Sequence, residues 1–333
     1  MKKGILWTVV VVVFISTISS MLCAQEKLAQ SGFQFLSIGS TGRASAMGEA
    51  FTTNSGVSTS LFYNPAGLAS MNNLLDVSAS WNSWIADINH NAVSLAVSPK
   101  NGLYGVFGLS FLWVDYGEFL GTMVWKNAQG YVDTENFSPN AMALGLGYGK
   151  SLTDKFSIGG QIKYVAQSSG RTVVPDVASS TGLSANKSVL SVIGFDFGTI
   201  YQTGFKSLTF GMSVRNFSKE IKIEQEAFQL PLTFRIGISM DVIDLMKDLS
   251  ETHSLLVAID AVHPRSHSEY ISLGLEYTLM DLFSLRTGYI SSQDEYNFTY
   301  GLGIQKFGLA FDYGYMPFGV FDSVQRITIR YSL

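Results

Sequence analysis

From Leu75 onward the chain repeats one pattern, and that pattern leaves few folds open to it. Met142, Leu144, Leu146 and Tyr148 alternate with Ala143, Gly145 and Gly147. Leu208, Phe210, Met212 and Val214 alternate with Thr209, Gly211, Ser213 and Arg215. Leu232, Phe234, Ile236 and Ile238 alternate with Thr233, Arg235, Gly237 and Ser239, and Phe298, Tyr300, Leu302 and Ile304 with Thr299, Gly301, Gly303 and Gln305. A period of two belongs to strands, with one face large and apolar and the other small, glycine-rich or charged. A water-soluble sandwich would turn its large residues to a core and cover the other face with lysine and glutamate. Charged residues make up only 14% of this chain, against roughly 25% in soluble domains. The large face therefore suits lipid and the small face a crowded lumen.

The pattern predicts an all-β fold, a transmembrane antiparallel β-barrel of about 14 strands. The candidate strands are 75–84, 89–98, 103–116, 140–150, 155–167, 188–202, 207–217, 231–241, 253–262, 269–279, 283–291, 296–305, 307–316 and 324–333. Most reach the roughly 9–11 residues that a tilted strand needs to cross a bilayer. Every second connection is short, as at Pro99-Lys100-Asn101-Gly102, Ser151–Asp154, Met280-Asp281-Leu282 and Lys306, with 242–252 the helically spaced exception. The alternate connections are longer, notably 117–139 and 168–187. Short inner turns and long outer loops are what a barrel predicts and a sandwich does not. Outward aromatics fall near strand ends, with Trp81, Trp113, Tyr164, Tyr289 and Tyr315 toward one interface and Tyr148, Tyr201, Tyr277 and Tyr331 toward the other. No later stretch approaches the roughly 18 consecutive apolar residues of a spanning helix.

The chain opens with a basic Met1-Lys2-Lys3, an apolar run from Ile5 to Ile15 and a small-polar stretch ending in Ala24. That is the layout of a secretory signal peptide over 1–24, cut before Gln25. Cys23 is the single cysteine, so the exported chain has no disulfide and no thiolate chemistry. Residues 25–74 do not alternate. Small residues there permit close backbone approach, Pro65 interrupts any ladder, and bulky Phe62 and Tyr63 need a place to bury. The expectation is an N-terminal plug inside the mouth of a barrel that occupies 75–333.

Two runs within that segment carry a resemblance. Gly42-Arg43-x-x-x-Met47-Gly48-x-Ala50-Phe51 and Asn64-Pro65-Ala66-Gly67-Leu68-Ala69 look like the PorV/PorQ family of outer-membrane proteins, relatives of the FadL hydrophobe transporters. Weaker echoes are Asp196-Phe197-Gly198, Val214–Phe217, Gly274–Tyr277 and Leu285–Tyr289. The resemblance implies a fourteen-stranded barrel plugged by its N-terminal segment, with Arg43, Gly48, Asn64, Pro65 and Ala66 in the plug motif. It implies a place in type IX protein secretion, as a component or a cargo-binding shuttle with partners in that apparatus. Its FadL side implies the alternative, a transporter of hydrophobic small molecules that holds a hydrophobic ligand or detergent in its lumen. Where relatives carry acidic residues before Asn-Pro-Ala, this chain has Asn54-Ser55-Gly56-Val57. The final strand also resembles an outer-membrane assembly signal, with Tyr331 and Leu333 on its apolar parity and leucine where phenylalanine is usual.

Asp196, Arg215, Arg235, Asp260, Glu276, Arg286, Asp312 and Arg330 all fall on the small-residue parity of their strands. Charges inside a barrel have to be paired, so an interior ion-pair network across neighbouring strands is expected. Enzyme motifs are lacking. Gly149-Lys150-Ser151 has Leu144 where a phosphate loop needs glycine, His90 and His253 lack a serine and an orienting partner, and Pro264 spoils the spacing of His263 and His267 for a metal. The sequence therefore predicts no catalytic, cofactor-binding or metal site. A net charge of −4 gives no hint of nucleic-acid binding. The partners expected are outer-membrane lipid and proteins at the extracellular loops, where Trp125 and Tyr131 are candidate anchors.

Overall fold

The computed structural model describes residues 31–175, 183–223, 226–246, 252–291 and 297–333. The signal-peptide reading of 1–24 and the first residues of the expected plug lie outside that range. Fourteen strands close into an antiparallel barrel. They are β1 (Leu75–Ser83), β2 (Asn89–Val97), β3 (Val106–Asp115), β4 (Asn140–Ser151), β5 (Phe156–Pro175), β6 (Leu183–Gln202) and β7 (Thr209–Ser218). The second half comprises β8 (Thr233–Asp241), β9 (His253–Pro264), β10 (Tyr270–Leu279), β11 (Phe283–Ile290), β12 (Phe298–Lys306), β13 (Leu309–Phe318) and β14 (Phe321–Ser332). Each strand pairs with its sequence neighbours, and β14 returns to β1 in a register that sets Trp81 against Ile327 and Asp76 against Ser332. Leu75 and Leu333 exchange both backbone hydrogen bonds beyond that register, at 3.0 and 2.8 Å. Within the closed wall each strand is paired on both sides, a condition that hydrocarbon imposes because it offers the backbone no partner.

All fourteen expected strands are present, with three corrections. β3 starts at Val106 because turns at Gly102 and Gly105, both at positive φ, occupy the residues before it. β5 and β6 run far past their expected ends, so most of 168–187 is a strand extension rather than a loop. Their register slips between Ser168 and Arg171, where Gly170 takes a φ of +82°. Third, 117–139 is a hairpin in its own right, with Thr122–Val124 paired to Tyr131–Asp133. The helical spacing at 242–252 gives a short 3-10 turn over Val242–Leu245.

The alternation has the predicted sense. Leu146, Leu302, Phe210 and Ile329 are exposed on the outer wall, while Ser78, Ser94, Asp260 and Thr328 are buried behind it. An apolar outer band around a closed barrel is a membrane-spanning surface, and the chain is a bacterial outer-membrane protein. The inner parity meets residues 31–74. Helix α1 (Gly42–Ala46) and 3-10 turns at Gln34–Ser37, Ser58–Phe62 and Pro65–Ser70 are its helical elements, and Phe62, Tyr63, Leu61 and Leu68 are buried in it. The lumen-facing glycines are explained by this contact. A Cβ on Gly159 would stand 2.4 Å from the backbone of Pro65 and Ala66, and one on Gly198 would stand 1.8 Å from the Asn64 amide oxygen.

Candidate functional site

The inner segment is fastened to the wall by caps and buried carboxylates. The Thr41 side chain accepts from Ala44 N at the start of α1, as an N-cap should. Gly42 N donates to Thr328 and Gly48 N to Thr299, at 2.9 and 3.0 Å. Tyr63 buries its ring, and its hydroxyl accepts from Ser40 N and Thr41 N at 3.1 Å each. Burial pushes that phenol up to about 12, so it stays neutral. Asn64 donates to Thr52 O and Thr199 O and accepts from Ala66 N, which locks the Asn64-Pro65-Ala66 turn onto β6. Asp260 accepts from Phe51 N, Thr52 N and Thr52 Oγ1 at 3.0, 3.0 and 2.6 Å.

The inward charges make ion pairs that reach into the inner segment. Arg43 forks onto Glu276, with Nε and Nη2 at 2.7 and 2.5 Å. Burial works against the charged form of Arg43, yet the adjacent Glu276 carboxylate overrides it and raises the guanidinium above its ordinary value. Arg286 also donates to Glu276, and reaches Asp312 at 2.7 Å. Arg330 meets Asp76 at 3.4 Å, whose other oxygen accepts from Ser58 N at 2.7 Å. Asp196 pairs with Lys163 at 2.8 Å, and Arg235 stands 4.0 Å from Asp260 while donating to Glu49 O at 2.8 Å. Arg215 departs from the expectation: among the described residues no carboxylate pairs with it. Its guanidinium lies over the Tyr63 ring, 5.9 Å from the centroid, while Lys163 pairs with Asp196.

Four members of the network escaped sequence reasoning. Lys163, Asp76 and Arg326 sit on the inward parity and were open to the same parity rule. Glu49 was not, because nothing in a non-alternating segment says which way it points. It binds Arg326 at 2.7 Å. Around Arg43, Glu276, Arg286, Asp312 and Arg330 lies a polar cavity of about 330 Å3, reaching Asp281 on a short turn. The histidines stay apart: His263 pairs with Glu269 at 2.8 Å, His267 with Ser266, and His90 with Phe35 O.

A second cavity, at the long-loop end, is of the opposite character. It measures about 480 Å3 and is lined by Phe33, Phe137, Pro139, Leu190 and Phe228, with Ser168 and Ser169 at the register slip. Beneath it Phe33, Phe35 and Leu36 pack against Leu112, Val114, Val165 and Leu230. Leu112, Val114 and Val165 break the small-inward rule. The run Phe111-Leu112-Trp113-Val114, apolar on both parities, was the available signal.

A family profile described as Uncharacterised protein family (UPF0164) matches residues 10–283. Among curated proteins none matches in sequence. Among solved structures, the Ralstonia pickettii toluene transporter TbuX superposes with a TM-score of 0.61 at 12% identity, over 89% of this chain and 98% of that one. The Pseudomonas putida toluene transporter TodX gives 0.56 at 13% identity, over 88% and 96%. A Pseudomonas aeruginosa FadL homologue gives 0.54 at 11%, over 88% and 98%. At such identities the likeness is one of fold.

Proposed function

The chain belongs to the uncharacterised protein family UPF0164, and from that premise we propose that it is a non-enzymatic outer-membrane transporter of hydrophobic small molecules, with residues 31–74 as its plug. The observation that carries this reading is the cavity of about 480 Å3 bounded by Phe33, Phe137, Leu190 and Phe228. A concave site lined mainly by apolar and aromatic groups binds apolar ligands. It sits above the Asn64-Pro65-Ala66 turn, beside the register slip in the β5–β6 wall. A barrel that only displayed loops to protein partners would have no use for it. The fold shared with two toluene transporters supports the same class of cargo.

Filling the cavity tests this. Leu190→Trp should lower toluene binding to the detergent-purified barrel by about tenfold in calorimetric titration. It should also lower uptake of labelled toluene by cells that express the barrel in place of their own transporters. Uptake by the wild-type barrel no greater than that of cells without it would overturn the reading.

The secretion role implied by the PorV/PorQ resemblance is a second reading, and one observation favours it. The 117–139 hairpin exposes Leu120, Val124, Trp125 and Tyr131. Purification from native membranes would decide: secretion components retained by the wild type and lost in Trp125→Ala support it, and their absence removes it.

A further inference from the structure

A third cavity lies between the inner segment and opposite walls of the mouth. It measures about 200 Å3 and is lined by Arg235 of β8, Arg326 of β14, Glu49, Trp84, Tyr270 and Met316, among others. Arg235 and Arg326 are 6% and 2% exposed, and the Nε–H of each is buried without an acceptor. Elsewhere in the lumen Arg43 and Arg286 spend their Nε–H on Glu276. Glu49 is the single carboxylate of the lining, and it binds Arg326 through one oxygen while its backbone carbonyl takes Arg235. Two guanidiniums thus enter a lining with one carboxylate, while Asp260 stands outside it, 4.0 Å from Arg235. Glu49 adopts this position at a φ of +61°, a left-handed conformation that a non-glycine residue holds only against its own preference. The Arg326 guanidinium lies 5.5 Å from the centroid of Trp84. The lining therefore sets donor-rich guanidiniums beside an indole, a phenol and a thioether.

We infer that this mouth cavity binds a small aromatic carboxylate, its head on Arg235 and Arg326 and its ring against Trp84 and Tyr270. Guanidinium groups match carboxylates in geometry and charge, and aromatic rings pack on one another at preferred offsets. A volume of about 200 Å3 equals roughly seven waters at about 30 Å3 each, room for one ring with its head group and not for a long alkyl chain. The inference rests on the transport reading for its biological use, since the cavity stands at the entrance to the lumen. It extends that reading from neutral hydrocarbons to small aromatic acids.

Calorimetric titration of the full barrel in an uncharged detergent tests it, with benzoate as the probe and benzyl alcohol, sulfate and laurate as comparisons. Benzoate should bind one per barrel, at least about tenfold tighter than each of the other three. Glu49→Gln, which keeps an acceptor for Arg326 and removes the competing charge, should tighten benzoate. Glu49→Gln with Arg326→Gln, which leaves no unpaired charge, should abolish it while heat-modifiable migration on gels stays wild type. Equal binding of benzyl alcohol, of sulfate or of laurate would overturn the inference, as would weaker benzoate binding in Glu49→Gln. Toluene uptake separates the two readings: uptake without benzoate binding removes this inference alone, and loss of uptake removes the transport reading.

Discussion

Asp260 concentrates the energetics of the lumen in one side chain. It is fully buried, and a single oxygen takes three donors from Phe51 and Thr52. A carboxylate so placed is stable only because those donors and Arg235 replace water. Asp260→Ala would strand two backbone N–H groups and leave Arg235 with no carboxylate of its own. The expected cost is about 3–5 kcal/mol, read as a lower urea midpoint for loss of heat-modifiable migration. Asp260→Asn, which keeps an acceptor, should cost less. Sequence parity placed Asp260 in the lumen, but its partner was predicted on a neighbouring strand. The principal partners are backbone amides of the inner segment, and amides leave no mark in a sequence. Arg215 follows the same logic in reverse, since parity gives direction and says nothing of which of two cations reaches Asp196 first.

At the scale of elements, the inner segment and the glycines that receive it form one unit. The Asn64-Pro65-Ala66 turn rests on Gly159 and Gly198, and no residue with a Cβ can take either place without moving it. Gly198→Ala should dislodge the turn by putting a methyl into the Asn64 amide, although alanine suits a strand better than glycine. Single-channel recordings in planar bilayers should then show openings rarer in the wild type, and Asn64→Ala should behave likewise. Unchanged traces in both variants would sever the link between this turn and closure of the lumen. Apart from β5 and β6, the strands were legible to within a few residues, because a wall between lipid and packed lumen imposes its alternation along each strand. The extensions of β5 and β6 were not, because above the bilayer both faces are wet and the alternation lapses. The inner segment could be recognised as separate from the wall but not traced, since its contacts are with strands hundreds of residues away. The apolar cavity was hidden for a related reason: an inward Leu112 or Val114 reads like lipid-facing surface until Phe33 and Phe35 are seen against it.

For the whole molecule, the decisive quantity is the difference between two faces of one thin wall. Leu302 lies midway along β12 and is 55% exposed on the outer surface, whereas its neighbours Gly301 and Gly303 face the lumen against Ala46 and Arg286. An arginine at Leu302 would stand near the bilayer midplane, where it costs about 2–4 kcal/mol, while the same change near an interface costs about 0–1. Leu333, at the rim beside Leu75, supplies the interface control within the same molecule. Unfolding in lipid vesicles should therefore rank Leu302→Arg well below Leu333→Arg and wild type. Gly303→Ala would add a methyl against the Arg286 guanidinium and should be destabilising by packing rather than by depth, so its cost should persist when the lipid is exchanged for detergent micelles. A barrel standing in water would level Leu302→Arg with Leu333→Arg and wild type, because an arginine on a solvated surface gives up nothing. The order of these three variants thus measures which side of the wall is lipid, independently of any resemblance to other barrels.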